Sequence, residues 1–252
     1  QRLAQAYSTL EALYIADGHH RAASAVAVGL KRRTAVAEET VAQEETEEIS
    51  GTSDVAAHES FLAILFPANQ LRIMDYNRVV SDLNGLSAEE FLDRVAQRFL
   101  VERIEASDHI DTGSASTAST VDAESLPHKP RKKGEFGMYL ARQWYRLTIH
   151  DEFKSDDPVA GLDVQLLQDN LLSEVLGIDD PRTNPRIDFI GGARGLAELE
   201  RRVDAGEAVA FALFPVTLDE LFAVSDAGRL MPPKSTWFEP KPRSGLFVHM
   251  IS

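Results

Sequence analysis

The chain has 252 residues, 44% of them hydrophobic and 26% charged, which suits a folded soluble protein and excludes wholesale disorder. Lys and Arg number 26 against 40 Asp and Glu. The resulting net charge of −14 argues against a broad nucleic-acid surface but leaves room for one locally basic anion site. Cysteine is absent, which removes disulfides, thiolate nucleophiles and cysteine-held metal clusters and fits a cytoplasmic protein.

Helix-like sequence starts at once after Gln1, with no signal peptide, and a native segment ahead of Gln1 is expected. No apolar run approaches the roughly 20 residues that a membrane-spanning helix needs. Residues 13–16 read as a short strand that enters Asp17-Gly18-His19-His20-Arg21, followed by a small-residue helix over 22–30. Residues 34–60 hold eight acids and no Lys or Arg, the pattern of an acidic flexible insertion. The apolar run 61–66, closed by Pro67, and residues 71–80 read as two strands. Ser87 with Glu90 forms a capping box, and Phe91, Leu92, Val95, Phe99 and Leu100 recur at helical spacing. Residues 106–133, rich in Ser and Thr and ending in Arg131-Lys132-Lys133, read as a polar flexible loop.

Residues 136–149 give one or two strands, and 162–176 an amphipathic helix stopped by Gly177. A strand over 186–190 enters Gly191-Gly192, a helix follows over 196–203, and 208–214 form a strand closed by Pro215. Thr217 caps a helix over 218–224, and 245–251 give a closing strand. Strands and helices alternate without doubly wound spacing, so an α+β (mixed α/β) fold is expected. It would be a single domain over 1–252, or the C-terminal part of a longer protein, with insertions at 34–60 and 106–133.

Two segments carry chemistry. In the first, Gly18 lets the backbone approach a ligand, the following helix offers unpaired N–H groups, and Arg21 supplies a donor fork for phosphate oxygens. His19 and His20 can donate to the same oxygens or shuttle a proton, and Asp17 can accept a hydroxyl proton or hold Mg²⁺. Adjacent histidines also form purely structural pairs, and Asp-Gly is an ordinary turn. In the second, prolines 232, 233, 240 and 242 stiffen a loop carrying Lys234, Ser235, Thr236, Lys241 and Arg243, a preorganised set for an anion. Its cations can equally face solvent, while Trp237 and Phe238 anchor it in the core. Gly191-Gly192-Ala193-Arg194-Gly195 lacks both the Rossmann spacing and a P-loop lysine. Neither a Gly-x-Ser-x-Gly elbow nor a His-Glu-x-x-His motif occurs, which leaves serine-hydrolase and zinc-protease readings without support.

Ala16-Asp-Gly-His-His-Arg21, Gly134-Glu-Phe-Gly-Met-Tyr139, Leu162-Asp-Val with Leu176-Gly-Ile178, and the closing 231–245 segment resemble the bacterial domain-of-unknown-function family one thousand and fifteen. Members of that family carry a substantial segment ahead of the Asp-Gly-His-His-Arg element. The element is also similar to the turn of the ParB/sulfiredoxin-like fold, including free-serine kinases. That resemblance implies that Gly18, His19, His20 and Arg21 hold a transferring phosphate while Asp17 assists the acceptor hydroxyl or Mg²⁺. It gives no counterpart for Lys234, Ser235, Thr236, Lys241 and Arg243, whose phosphate role rests on their own chemistry. The expected function is a small-molecule phosphotransferase, such as a serine kinase with a nucleotide or pyrophosphate donor. The alternative is a non-catalytic nucleotide- or metabolite-binding regulator. Neither nucleic acid nor membrane is an expected partner.

Overall fold

The computed structural model describes residues 2–42, 60–105, 126–243 and 245. It divides into two units, Gln1–Leu71 with Pro240–Ser252, and Arg72–Glu239. In the first unit lie α1 (Arg2–Tyr7) and α2 (His19–Ala42). The strands expected at 13–16 and 61–66 do not form: both stretches lack regular structure, and Leu13, Ile15, Phe61 and Ile64 stay about half exposed. A strand exists only where a partner completes its ladder of hydrogen bonds, and an apolar run alone cannot supply one. The helix expected over 22–30 runs on through the first residues of the acidic stretch, and 43–59 lie outside the described residues.

The second unit contains, in order, β1 (Arg72–Met74), β2 (Tyr76–Val80), α3 (Ala88–Val95), β3 (Phe99–Arg103), β4 (Glu135–Leu140) and β5 (Gln143–Ile149). These are followed by α4 (Asp163–Leu167), which continues as π-helix over Gln168–Ser173, then β6 (Ile187–Gly191), α5 (Ala197–Asp204), β7 (Val209–Leu213), α6 (Leu218–Asp226) and β8 (Trp237–Glu239). Six strands form an antiparallel sheet in the order β3-β5-β4-β7-β2-β6, and β1 pairs with β8 in a separate ribbon. The fold is α+β.

Local chemistry explains most of these boundaries. The expected Ser87–Glu90 capping box forms, and the Thr217 cap is completed into a box by Glu220. Gly177, at φ +65°, closes its helix while the Ile178 N–H reaches the Leu172 carbonyl at 2.7 Å. The strand expected over 71–80 breaks at Asp75. There the main-chain oxygen accepts from the Gly192 N–H (2.8 Å) and the carboxylate accepts from Asn77 Nδ2 (2.5 Å). Its two halves therefore enter different sheets.

Phe99 and Leu100, expected on a helix face, lie instead on β3, where Phe99 pairs with Ile149. The expected closing strand at 245–251 lies outside the described residues except for Gly245, and β8 arises within the proline-rich segment. Residues 106–125 also lie outside the described residues, whereas 126–133 pack onto the sheet unit: Leu126 abuts the core and His128 stacks on Trp144 at 4.4 Å.

On β7, Ala210 and Ala212 alternate with Val209, Phe211 and Leu213, as a two-residue period requires. The alanines leave room for Leu196 and Leu199, at and within α5, in a cluster with Val79, Ile190 and Trp144. Among the described residues no helix is long and apolar enough to cross a membrane.

Candidate functional site

The Asp17–Arg21 turn is built by its own side chains. Asp17 Oδ1 accepts the Gly18 N–H at 2.7 Å, and the Gly18 carbonyl accepts the Ala22 N–H at 2.9 Å, opening α2. Gly18 sits at φ +84°, which side-chain-bearing residues adopt only under strain. It is also tightly covered: a Cβ there would lie 3.2 Å from Arg21 Nη2 and 3.3 Å from Nε, so the guanidinium folds back over the glycine. His19 and His20 begin the helix and are exposed, as is Arg21.

Lys241, more than two hundred residues along the chain, donates from Nζ to Asp17 Oδ2 at 2.8 Å. The hydrogen bond from Lys241 holds the Asp17 carboxyl below its ordinary range. Partial burial opposes this, and the Gly18 N–H and the charges of Lys241 and Arg21 add to it. The result is a fixed carboxylate flanked by an ammonium, a guanidinium and the N-terminus of a 24-residue helix. Asp17 is 51% and Lys241 41% exposed, so this ion pair positions charge rather than stabilises the fold. Arg243 follows within the same unit and is exposed.

Lys234, Ser235 and Thr236 belong to the other unit. Ser235 is buried and its hydroxyl donates to the Pro232 carbonyl at 2.7 Å, closing the turn. Lys234 occupies a left-handed conformation (φ +54°), with Nζ 6.0 Å from the Tyr76 ring centre. Thr236 is half-buried just ahead of β8. Phe238 is buried and anchors the segment as expected. The Gly191-Gly192 pair serves packing: a Cβ at Gly191 would come within 2.7 Å of the Trp237 ring, and one at Gly192 within 2.0 Å of Asp75 Oδ1.

For Mg²⁺ the turn offers one carboxylate, Asp17, and both its oxygens already accept hydrogen bonds. Among the described residues no group of three His, Asp or Glu converges on a metal position. These side chains alone do not make a Mg²⁺ site. What they do make is a cationic helix end, with Arg21, Lys241 and backbone N–H groups beside Asp17.

Residues 1–165 match the sequence profile described as "Protein of unknown function (DUF1015)". No curated protein matches the chain. Among solved structures it is similar to a free serine kinase in complex with AMP, at 12% identity and a TM-score of 0.36 over 68% of this chain and 55% of that one. A free serine kinase mutant in complex with ADP gives 14% identity with the same TM-score and coverage. A conserved hypothetical protein from Pyrococcus furiosus gives 13% identity and a TM-score of 0.36, covering 68% of this chain and 56% of that one. The chain thus spans little more than half the length of these structures.

Proposed function

This chain belongs to the DUF1015 family, and we propose that it is a small-molecule phosphotransferase that moves a phosphoryl group from a nucleotide or pyrophosphate to a hydroxyl such as that of serine. The observation that carries this reading is the convergence of Lys241 on the Asp17-Gly18-His19-His20-Arg21 turn. Arg21 and Lys241 neutralise the transferring phosphate, Gly18 admits it close to the backbone, and His19 and His20 donate to its oxygens from the first helical turn. Arg243 adds a further cation to the same unit. The proposed site is confined to the unit that holds the turn, and Lys234, Ser235 and Thr236 lie in the other.

Asp17 has a lowered proton affinity, so it is a weak base. Its role is to orient the acceptor hydroxyl and hold Lys241 in place. Catalysis would rest on positioning and charge stabilisation, as phosphoryl transfer generally does.

The test incubates the full chain with serine and ATP, ADP or pyrophosphate and measures phosphoserine. Product formation that falls about 100-fold or more in both Arg21→Ala and Lys241→Ala supports the reading. No product with any donor, together with no donor-induced rise in melting temperature, overturns it. Saturable donor binding without product assigns the turn to a non-catalytic regulator instead.

A further inference from the structure

Arg78 lies on β2 at 4% exposure, and the described residues offer its guanidinium no carboxylate. Three less buried arginines of the same unit each have a carboxylate: Arg98 has Glu174, Arg186 has Asp82, and Arg202 has Asp188 and Glu207. Arg78 instead donates from Nη1 to the Tyr76 carbonyl of its own strand and lies 4.9 Å over the Phe189 ring. A guanidinium has five N–H donors, and one carbonyl and one ring face leave most of them without an acceptor. Burial works against the charge, pushing its pKa down to about 10. Its remaining N–H groups are not fully buried, so a ligand can reach them, and a bound anion would offset the cost of burying the charge.

Its surroundings are arranged for a ligand. The Phe189 ring meets Tyr76 edge-on at 6.1 Å, and Tyr76 meets Trp237 at 5.7 Å. Trp237 in turn rests on Gly191, which has no side chain to push it away. All three rings are half-buried and therefore reachable. Lys234 sits over Tyr76, held there by a strained left-handed backbone that the Ser235–Pro232 hydrogen bond closes. Strain retained in a turn that aims a cation at an aromatic cluster is a mark of function.

We propose that Arg78 and Lys234 bind the oxyanion, carboxylate or phosphate, of a small metabolite whose uncharged body rests on Tyr76 and Trp237. This site uses other residues than the Asp17 turn and stands without it.

The test follows melting temperature and tryptophan emission of the full chain against acetate, benzoate, phosphate and phenyl phosphate, with chloride at matched ionic strength as reference. Expected is a saturable rise with one of the two oxyanion series, tighter by about tenfold for its ring-bearing member. Which series responds identifies the group. Arg78→Met abolishes the response yet melts, without ligand, at or above the wild-type temperature. Lys234→Gly weakens affinity about tenfold while relieving the backbone strain. Arg21→Ala leaves the response intact. No saturable response in any of the four salts overturns the proposal. So does an unchanged affinity in Lys234→Gly, or a response that survives Arg78→Met.

Discussion

At Gly18 one atom decides the fit. Ala there must adopt φ +84° and press a Cβ against the Arg21 guanidinium, so Gly18→Ala should cost about 1–2 kcal/mol and displace Arg21. Thermal melts with and without pyrophosphate check both effects, because the ligand-induced shift should shrink along with the stability. Asp163 offers a pH test. Its buried carboxylate accepts the Gly134 N–H (2.9 and 3.1 Å), and desolvation above all raises its pKa from 3.8 to about 7. Glu220 and Glu135 add to that rise, while the Gly134 hydrogen bond and Lys133 oppose it. Between those two values the native state holds a proton that the unfolded chain has lost, so stability falls as pH rises from about 4 to 7 and levels off above. Asp163→Asn keeps an acceptor for Gly134 and removes the charge. It should flatten that slope and gain on the order of 2–4 kcal/mol at pH 8, read by denaturant titration across pH. The Asp17–Arg21 turn was legible in the sequence because its residues are contiguous. Arg78 was not, since residues 71–80 read only as a strand, and its guanidinium lies over Phe189 on another strand.

At the scale of elements, what was legible was what local chemistry determines. The Ser87 capping box, the Thr217 cap and the Gly177 stop need only residues a few positions apart, and each stands where the sequence placed it. Strand pairing depends on distant partners, which is why 13–16 and 61–66 carry no ladder and why 71–80 divides between two sheets at Asp75. Leu100 on β3 is a related case: apolar residues after a helix fit either period until the neighbouring strand is known. The β4–β5 hairpin turns through Ala141 and Arg142, at φ +49° and +62°, a left-handed pair normally given to Asn and Gly. Ala141→Asn should therefore stabilise the protein by about 0.5–1 kcal/mol, seen as a raised melting temperature with unchanged donor binding.

For the molecule as a whole, the two units differ in how their surfaces are spent. In the sheet unit the central strands are buried along their length, whereas in α2 the only buried position among residues 19–34 is Gly29, with Val26, Val28 and Leu30 about half exposed. Amides of β4, β7 and β2 should exchange with solvent about 100-fold or more slowly than those of α2, measured by hydrogen–deuterium exchange on the full chain. The sheet order carries a consequence for synthesis on the ribosome. β2 is made early but is flanked by β6 and β7, which emerge more than a hundred residues later. The β3–β5–β4 group can assemble as soon as residue 149 has left the exit tunnel, yet its β4 edge stays open until β7 arrives to bridge it to β2. A nascent chain paused within the last third thus presents two unmatched strand edges, the window in which a chaperone has most to protect.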